Sequence, residues 1–129
     1  MTSHLRAAVW LDHHEARIFH VDRGSFDEQA IRSPHRHVHR HPKGSTEPHE
    51  YPDDVQRFFG DIARSLADAN EILIVGPSTA KLQFHRYLQT RDPALEQKIV
   101  GLETVDHPTD AQLVAYAKKY FRVPDPRVR

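Results

Sequence analysis

The stretch Glu71-Ile-Leu-Ile-Val-Gly-Pro-Ser-Thr-Ala-Lys81 constrains this chain more than any other. Its four consecutive aliphatics, Ile72 to Val75, are bounded by a carboxylate on one side and Gly76-Pro77 on the other. The run is too short for a free helix and shows no alternation, which is the pattern of a central strand covered on both faces. Pro77 fits the first turn of a following helix, where the N–H it lacks would have no partner anyway. The spacing therefore predicts strand, tight turn and a helix from about Ser78 to Gln89. That helix buries Ala80, Phe84, Tyr87 and Leu88, with Ser78 and Thr79 read as caps rather than nucleophiles.

A strand covered on both faces needs helices on both sides, and the flanking sequence supplies them. Upstream, Ala7 to Leu11 and Ala16 to Val21 are joined by the polar turn Asp12-His13-His14-Glu15, the pattern of a hairpin. A weaker strand, Phe26 to Ile31, carries Asp27, Glu28 and Gln29, which suits a sheet edge. From Asp53 a helical stripe begins, with Val55, Phe58, Phe59, Ile62, Leu66 and Ala69 on one side. Downstream, Asp92-Pro93 marks the cap and first turn of a short helix through Gln97, and Ile99 to Val105 is a further strand. Thr109 to Gln112 is a capping box opening a last helix, whose stripe is Leu113, Val114, Ala117, Tyr120 and Phe121. The expected architecture is one α/β domain over residues 1–123, a mixed five-stranded sheet with helices on both faces, and a tail at 124–129. The order of the strands stays open at this stage.

One segment does not fit the pattern. Residues 33–52 contain four of the nine prolines, almost no apolar side chain and the run His35-Arg-His-Val-His-Arg-His41 followed by Pro42-Lys43-Gly44-Ser45. Such a stretch buries too little surface to offset its ordering entropy and reads as a long loop. It also holds the only basic concentration in a chain whose 18 basic and 18 acidic residues cancel. A whole-molecule attraction to nucleic acid or membrane is thereby excluded, so any such attraction is local. Arg36, Arg40 and Lys43 can follow a phosphate backbone, and the imidazoles can stack on exposed bases. The alternative is a solvated linker of biased composition. The same imidazoles allow a metal reading, because His35, His37, His39 and His41 fall on one side of an extended segment and could bind zinc, nickel or copper, although no defined finger spacing is present. The eleven histidines would make the protein cationic in mild acid.

Other groups allow sharper readings. Asp12 to Glu15, together with Glu103, Asp106, His107 and Asp110, could form a carboxylate site of the kind magnesium-dependent nucleases use, but each acid also suits a turn or a first helical turn. Lys81, with His85 and Arg86, could receive phosphate beyond the Gly76-Pro77 turn, which lacks the glycines of a nucleotide loop. Trp10 and Phe84 read as core. The absence of cysteine suits a reducing cytoplasm, and no apolar run before Asp12 is long enough for a signal peptide or a membrane span. A cytoplasmic location without membrane partners is therefore expected, and nothing in the sequence asks for a cofactor.

Taken in order, the hairpin Ala8-Val-Trp-Leu-Asp12 with Glu15-Ala-Arg-Ile-Phe19, the long loop before a helix, the block Ile72 to Lys81, and Asp92-Pro-Ala-Leu through Val100 resemble a known family. They look like the middle domain of the archaeal and eukaryotic class-one peptide-chain release factors and their relative Pelota. The stretch Glu103-Thr-Val-Asp-His-Pro-Thr-Asp110 is similar to one in small bacterial stand-alone members of the same superfamily, the translational machinery components. The resemblance implies a ribonuclease H-like fold and a ribosomal, rRNA or tRNA partner. In the release factors the corresponding loop carries the Gly-Gly-Gln that promotes peptidyl-tRNA hydrolysis. Here residues 33–52 hold neither Gly-Gly nor glutamine, and Lys43-Gly44-Ser45 is the nearest approach. The expectation is thus a binding protein without that chemistry, contacting RNA through Arg36, His37, His39, Arg40, His41, Lys43, Gly44 and Lys81. The alternatives are a metal-dependent nuclease or peptidyl-tRNA hydrolase using Asp12 with Glu103 and Asp106, or a histidine-rich metal-binding protein.

Overall fold

A computed structural model describes residues 5–21, 28–32 and 53–121. The loop assigned to 33–52, the tail at 124–129 and the first residues of the third strand lie outside the described residues. The elements are β1 (Arg6–Leu11), β2 (Glu15–His20), β3 (Glu28–Arg32), α1 (Asp53–Ser65), β4 (Glu71–Gly76), α2 (Ala80–Arg91), α3 (Pro93–Glu96), β5 (Ile99–Thr104) and α4 (Asp110–Phe121). They form the expected α/β arrangement around one sheet.

The strand order is β3-β2-β1-β4-β5. β1 pairs antiparallel with β2, placing Val9 opposite Ile18 and Trp10 opposite Arg17, and β2 pairs antiparallel with β3. On its other side β1 pairs parallel with β4, and β4 pairs parallel with β5. The aliphatic run that read as a central strand is interior to the sheet, and Ile72 to Val75 are fully buried. Gly76 closes β4 where a Cβ would collide with the Leu11 carbonyl oxygen, so only glycine lets β1 and β4 remain paired to their carboxyl ends. The other ends of these strands are tied by Asn70, whose Oδ1 accepts from Leu5 N at 2.7 Å.

The two faces of the sheet are closed differently. One packs Ala7, Val9, Leu11, Ile18, Ile72 and Ile74 against Phe58, Phe59 and Ile62 of α1 and Phe84 and Leu88 of α2. The other packs Ala8, Trp10, Phe19, Leu73 and Val75 against Leu113, Val114 and Ala117 of α4, the one helix on this face among the described residues. Alternation within β1, β2 and β4 feeds both clusters, as a sheet with helices on both faces requires.

Two local readings change, and the strand order adds a third point. α1 ends at Ser65, and Leu66 and Ala69 are buried from turns beyond it, where Leu66 N bonds to both Ile62 and Ala63 carbonyls. Thr79 sits at the N-cap of α2 but makes no side-chain cap bond, because its backbone is already in the right-handed helical region. β5, apolar in composition, is an edge strand with Val100 45% exposed, since β4 lies on one side of it and no described strand on the other. By contrast Asp92 accepts from Leu95 N with Pro93 opening α3, and Thr109 and Gln112 form the reciprocal capping box at 2.9 and 3.1 Å.

Candidate functional site

Asp12, Arg17, Asp106, His107 and Asp110 gather near the carboxyl ends of the parallel strands β1 and β5, the end of an open α/β sheet where ligands characteristically bind. β1 runs out into Asp12, whose Oδ1 accepts from the backbone N–H of His14 and Glu15 at 2.8 and 2.9 Å, fixing the hairpin turn. β5 runs out into Val105, whose N–H donates to Gly76 O at 3.1 Å, and then into Asp106-His107-Pro108 before α4 begins.

Trp10 joins these segments. Its ring is buried, and Nε1–H donates to the Asp106 carbonyl at 2.8 Å, satisfying the indole. The His107 ring lies 5.3 Å from it, between two acids, with Nδ1 3.0 Å from Asp106 Oδ1 and Nε2 4.0 Å from Asp12 Oδ2. On the β2 side the Arg17 guanidinium stacks 4.5 Å over Trp10. Arg17 bonds Asp110 Oδ1 at 2.5 Å and reaches the Pro108 carbonyl at 3.4 and 3.5 Å. Its Nε is buried without a hydrogen-bond partner among the described residues. Arg17 therefore fastens the loop into α4 onto the hairpin, with Asp110 in the first helical turn where a carboxylate also meets the helix dipole favourably.

Beside this junction lies a cavity of about 460 Å³, walled by Val105, Pro108, Leu113 and Tyr116, with Asp106, His107 and Gln112 as its polar groups. That volume suits a side chain or a small ligand. The Tyr116 phenol is held above the usual tyrosine range, chiefly by burial and then by the charge of Glu103 and by Tyr120.

The structure brings together two clusters widely separated in sequence, since Asp12 and Asp106 both meet His107. They do not converge as a metal centre: no group of three histidine, aspartate or glutamate side chains among the described residues could hold a metal ion. Lys81 is placed elsewhere, only 5% exposed, with its ammonium donating to Ser78 O at 2.7 Å inside the turn that starts α2. It is a buried residue rather than an open phosphate contact. His85 pairs with Glu96 at 3.0 Å. Arg36, His37, His39, Arg40, His41, Lys43 and Gly44, and the metal candidates His35, His37, His39 and His41, all lie outside the described residues. Sequence reasoning missed Arg17. Its signal was a charge sharing the alternation of Phe19 in β2, on a face that had to be covered; its partner Asp110, 93 residues on, was not predictable.

The architecture is an α/β fold that solved structures share. Three solved structures carry the likeness: Archaeoglobus fulgidus Pelota, with a TM-score of 0.58 and 17% identity over 92% of this chain and 31% of that one; Thermoplasma acidophilum Pelota, with 0.57 and 20% over 90% and 32%; and the archaeal translation termination factor aRF1, with 0.54 and 13% over 93% and 40%. The likeness spans nearly all of this chain but well under half of each relative, and at these identities it is a likeness of fold. No family model and no curated protein sequence matches the chain. Among the described residues no helix is long and apolar enough to cross a membrane.

Proposed function

We propose that this protein is a binding module of translation, associating with the ribosome or with tRNA through the basic stretch of residues 33–52, and that it does not carry out the hydrolysis that a Gly-Gly-Gln loop promotes. The observation that carries the reading is the likeness in fold, over nine-tenths of the chain, to two Pelota structures and a translation termination factor. It is supported by the sequence between β3 and α1, where Arg36, Arg40, Lys43 and five histidines stand in place of that motif. Binding of this kind is electrostatic, so it weakens as salt displaces the phosphate contacts.

Co-sedimentation with ribosomal subunits tests the proposal. The protein is expected to sediment with ribosomes at low salt and to leave them as salt is raised, and replacing Arg36, Arg40 and Lys43 together by alanine is expected to abolish the association without unfolding the domain. A protein that stays in the supernatant at both salt concentrations contradicts the reading.

A further inference from the structure

A narrower hollow of about 230 Å³ lies on the other side of the sheet, between α1 and α2, lined by Gly60, Ala63, Arg64, Tyr87 and Arg91. Its donors meet over a position that has no side chain. A Cβ at Gly60 would stand 3.4 Å from Tyr87 Oη and 3.8 Å from Arg64 Nη1, ordinary contact distances, so packing does not demand glycine there. Glycine inside a helix costs stability relative to alanine, and the space it leaves lies between those two donors. Arg64 gives Nη2 to Asp61, while its Nη1 has no acceptor among the described residues. Arg91 gives Nη2 to the neutral Gln56 Oε1 at 2.9 Å and lies 5.7 Å over the Tyr87 ring, whose hydroxyl has no hydrogen-bond partner among the described residues. At the far end, where Ala67 lines the hollow, Lys98 reaches the Ala67 carbonyl at 3.5 Å. Neither Arg91 nor Lys98 has a carboxylate partner among the described residues. The two acids nearby are engaged, Asp61 by Arg64 and the lining Asp92 by Leu95 N at 3.3 Å.

We propose that this hollow binds a backbone phosphate of an RNA strand, a contact that rests on the RNA-binding reading above and adds to the basic stretch a second site held on helices. Arg64 Nη1, Arg91 and Tyr87 Oη donate to the phosphate oxygens, and charge-assisted bonds of this kind are the strong ones. The missing Cβ of Gly60 admits the phosphate between them. Charge complementarity selects the occupant, because Arg91 and Lys98 lack carboxylate partners and the acids beside them are already bonded. Phosphate contacts position a strand without reading its sequence, so no base preference is expected here.

The test uses the full chain, followed by amide NMR, with a short oligouridylate as probe. Shifts at the amides of Gly60, Ala63, Tyr87 and Arg91 are expected, with affinity that falls as salt rises. Arg91→Gln is expected to weaken binding roughly tenfold, as loss of a charged hydrogen bond does. It should also lower the slope of log affinity against log salt by about 0.7, the share of one phosphate contact on a single strand. Gly60→Ala separates binding from stability: its methyl fills the space between the donors, so it is expected to weaken binding while raising the unfolding midpoint. The shifts are expected to persist in the chain carrying Arg36→Ala, Arg40→Ala and Lys43→Ala, whose ribosome co-sedimentation tests the basic stretch, so the two readings fail separately. The proposal is overturned if the probe leaves these amides unmoved, if a short polyglutamate shifts them equally, if Gly60→Ala or Arg91→Gln binds as the unaltered chain does, or if the triple variant abolishes the shifts.

Discussion

The two faces of the sheet solve the same problem with different chemistry. Where α1 and α2 lie side by side, the surface closes by apolar packing, with Phe59 in contact with the rings of Phe58, Phe84 and Tyr87. On the opposite face α4 is held by directed contacts at both ends: Arg17 to Asp110 at one end, and Tyr120 Oη to the Val100 carbonyl and Arg6 to the Phe121 carbonyl at the other. The loop that Arg17 fastens to this helix, Val105 to Pro108, shares a cavity with Gln112, Leu113 and Tyr116 of α4. The larger apolar cluster lies on the face of α1 and α2, and the candidate site lies on the face of α4.

The widest break in this contrast would come from the apolar side. Phe59→Ala removes a ring that is 2% exposed and is expected to cost about 3–5 kcal/mol in denaturant unfolding, with a drop in midpoint at unchanged slope. Arg17→Ala is expected to cost less, about 2 kcal/mol, because it deletes charge-assisted bonds and a stacked cation from a partly hydrated junction. Its diagnostic is a changed emission of Trp10, the single tryptophan, whose ring loses the guanidinium above it. If Arg17→Ala destabilises as much as Phe59→Ala, the division between the faces is wrong.

The smallest effect concerns Tyr116. The folded state holds its phenolic proton more tightly than the unfolded chain, so this contribution to stability is present below about pH 10, the ordinary tyrosine value, and is lost as pH rises through the elevated one. Ultraviolet titration should show one phenol ionising late, and Glu103→Gln should bring its midpoint down. An unmoved midpoint would mean that Glu103 does not act on the cavity wall.

Much of the fold was legible because local chemistry and global position agreed. Ile72 to Val75 announced a buried strand by composition, while Asp92-Pro93 and Thr109 to Gln112 announced helix starts and Asp12 a turn, these through bonds made within a few residues. What escaped depends on distant partners. The strand order, the edge position of an apolar β5 and the meeting of Asp12 with His107 are set by which elements lie side by side, and no local period encodes that. Gly101 is a further case: a Cβ there would meet the Tyr120 side chain, so the space at this position is set by α4 rather than by its own strand.

Native-state hydrogen exchange on the two faces tests the central contrast most directly. Amides of Leu113, Val114 and Ala117 in α4 are expected to exchange through openings of lower free energy than those of Phe59, Ile62, Phe84 and Leu88 in α1 and α2, which should open only with the whole domain. Equal opening free energies in all three helices would contradict a difference in stability between the two faces.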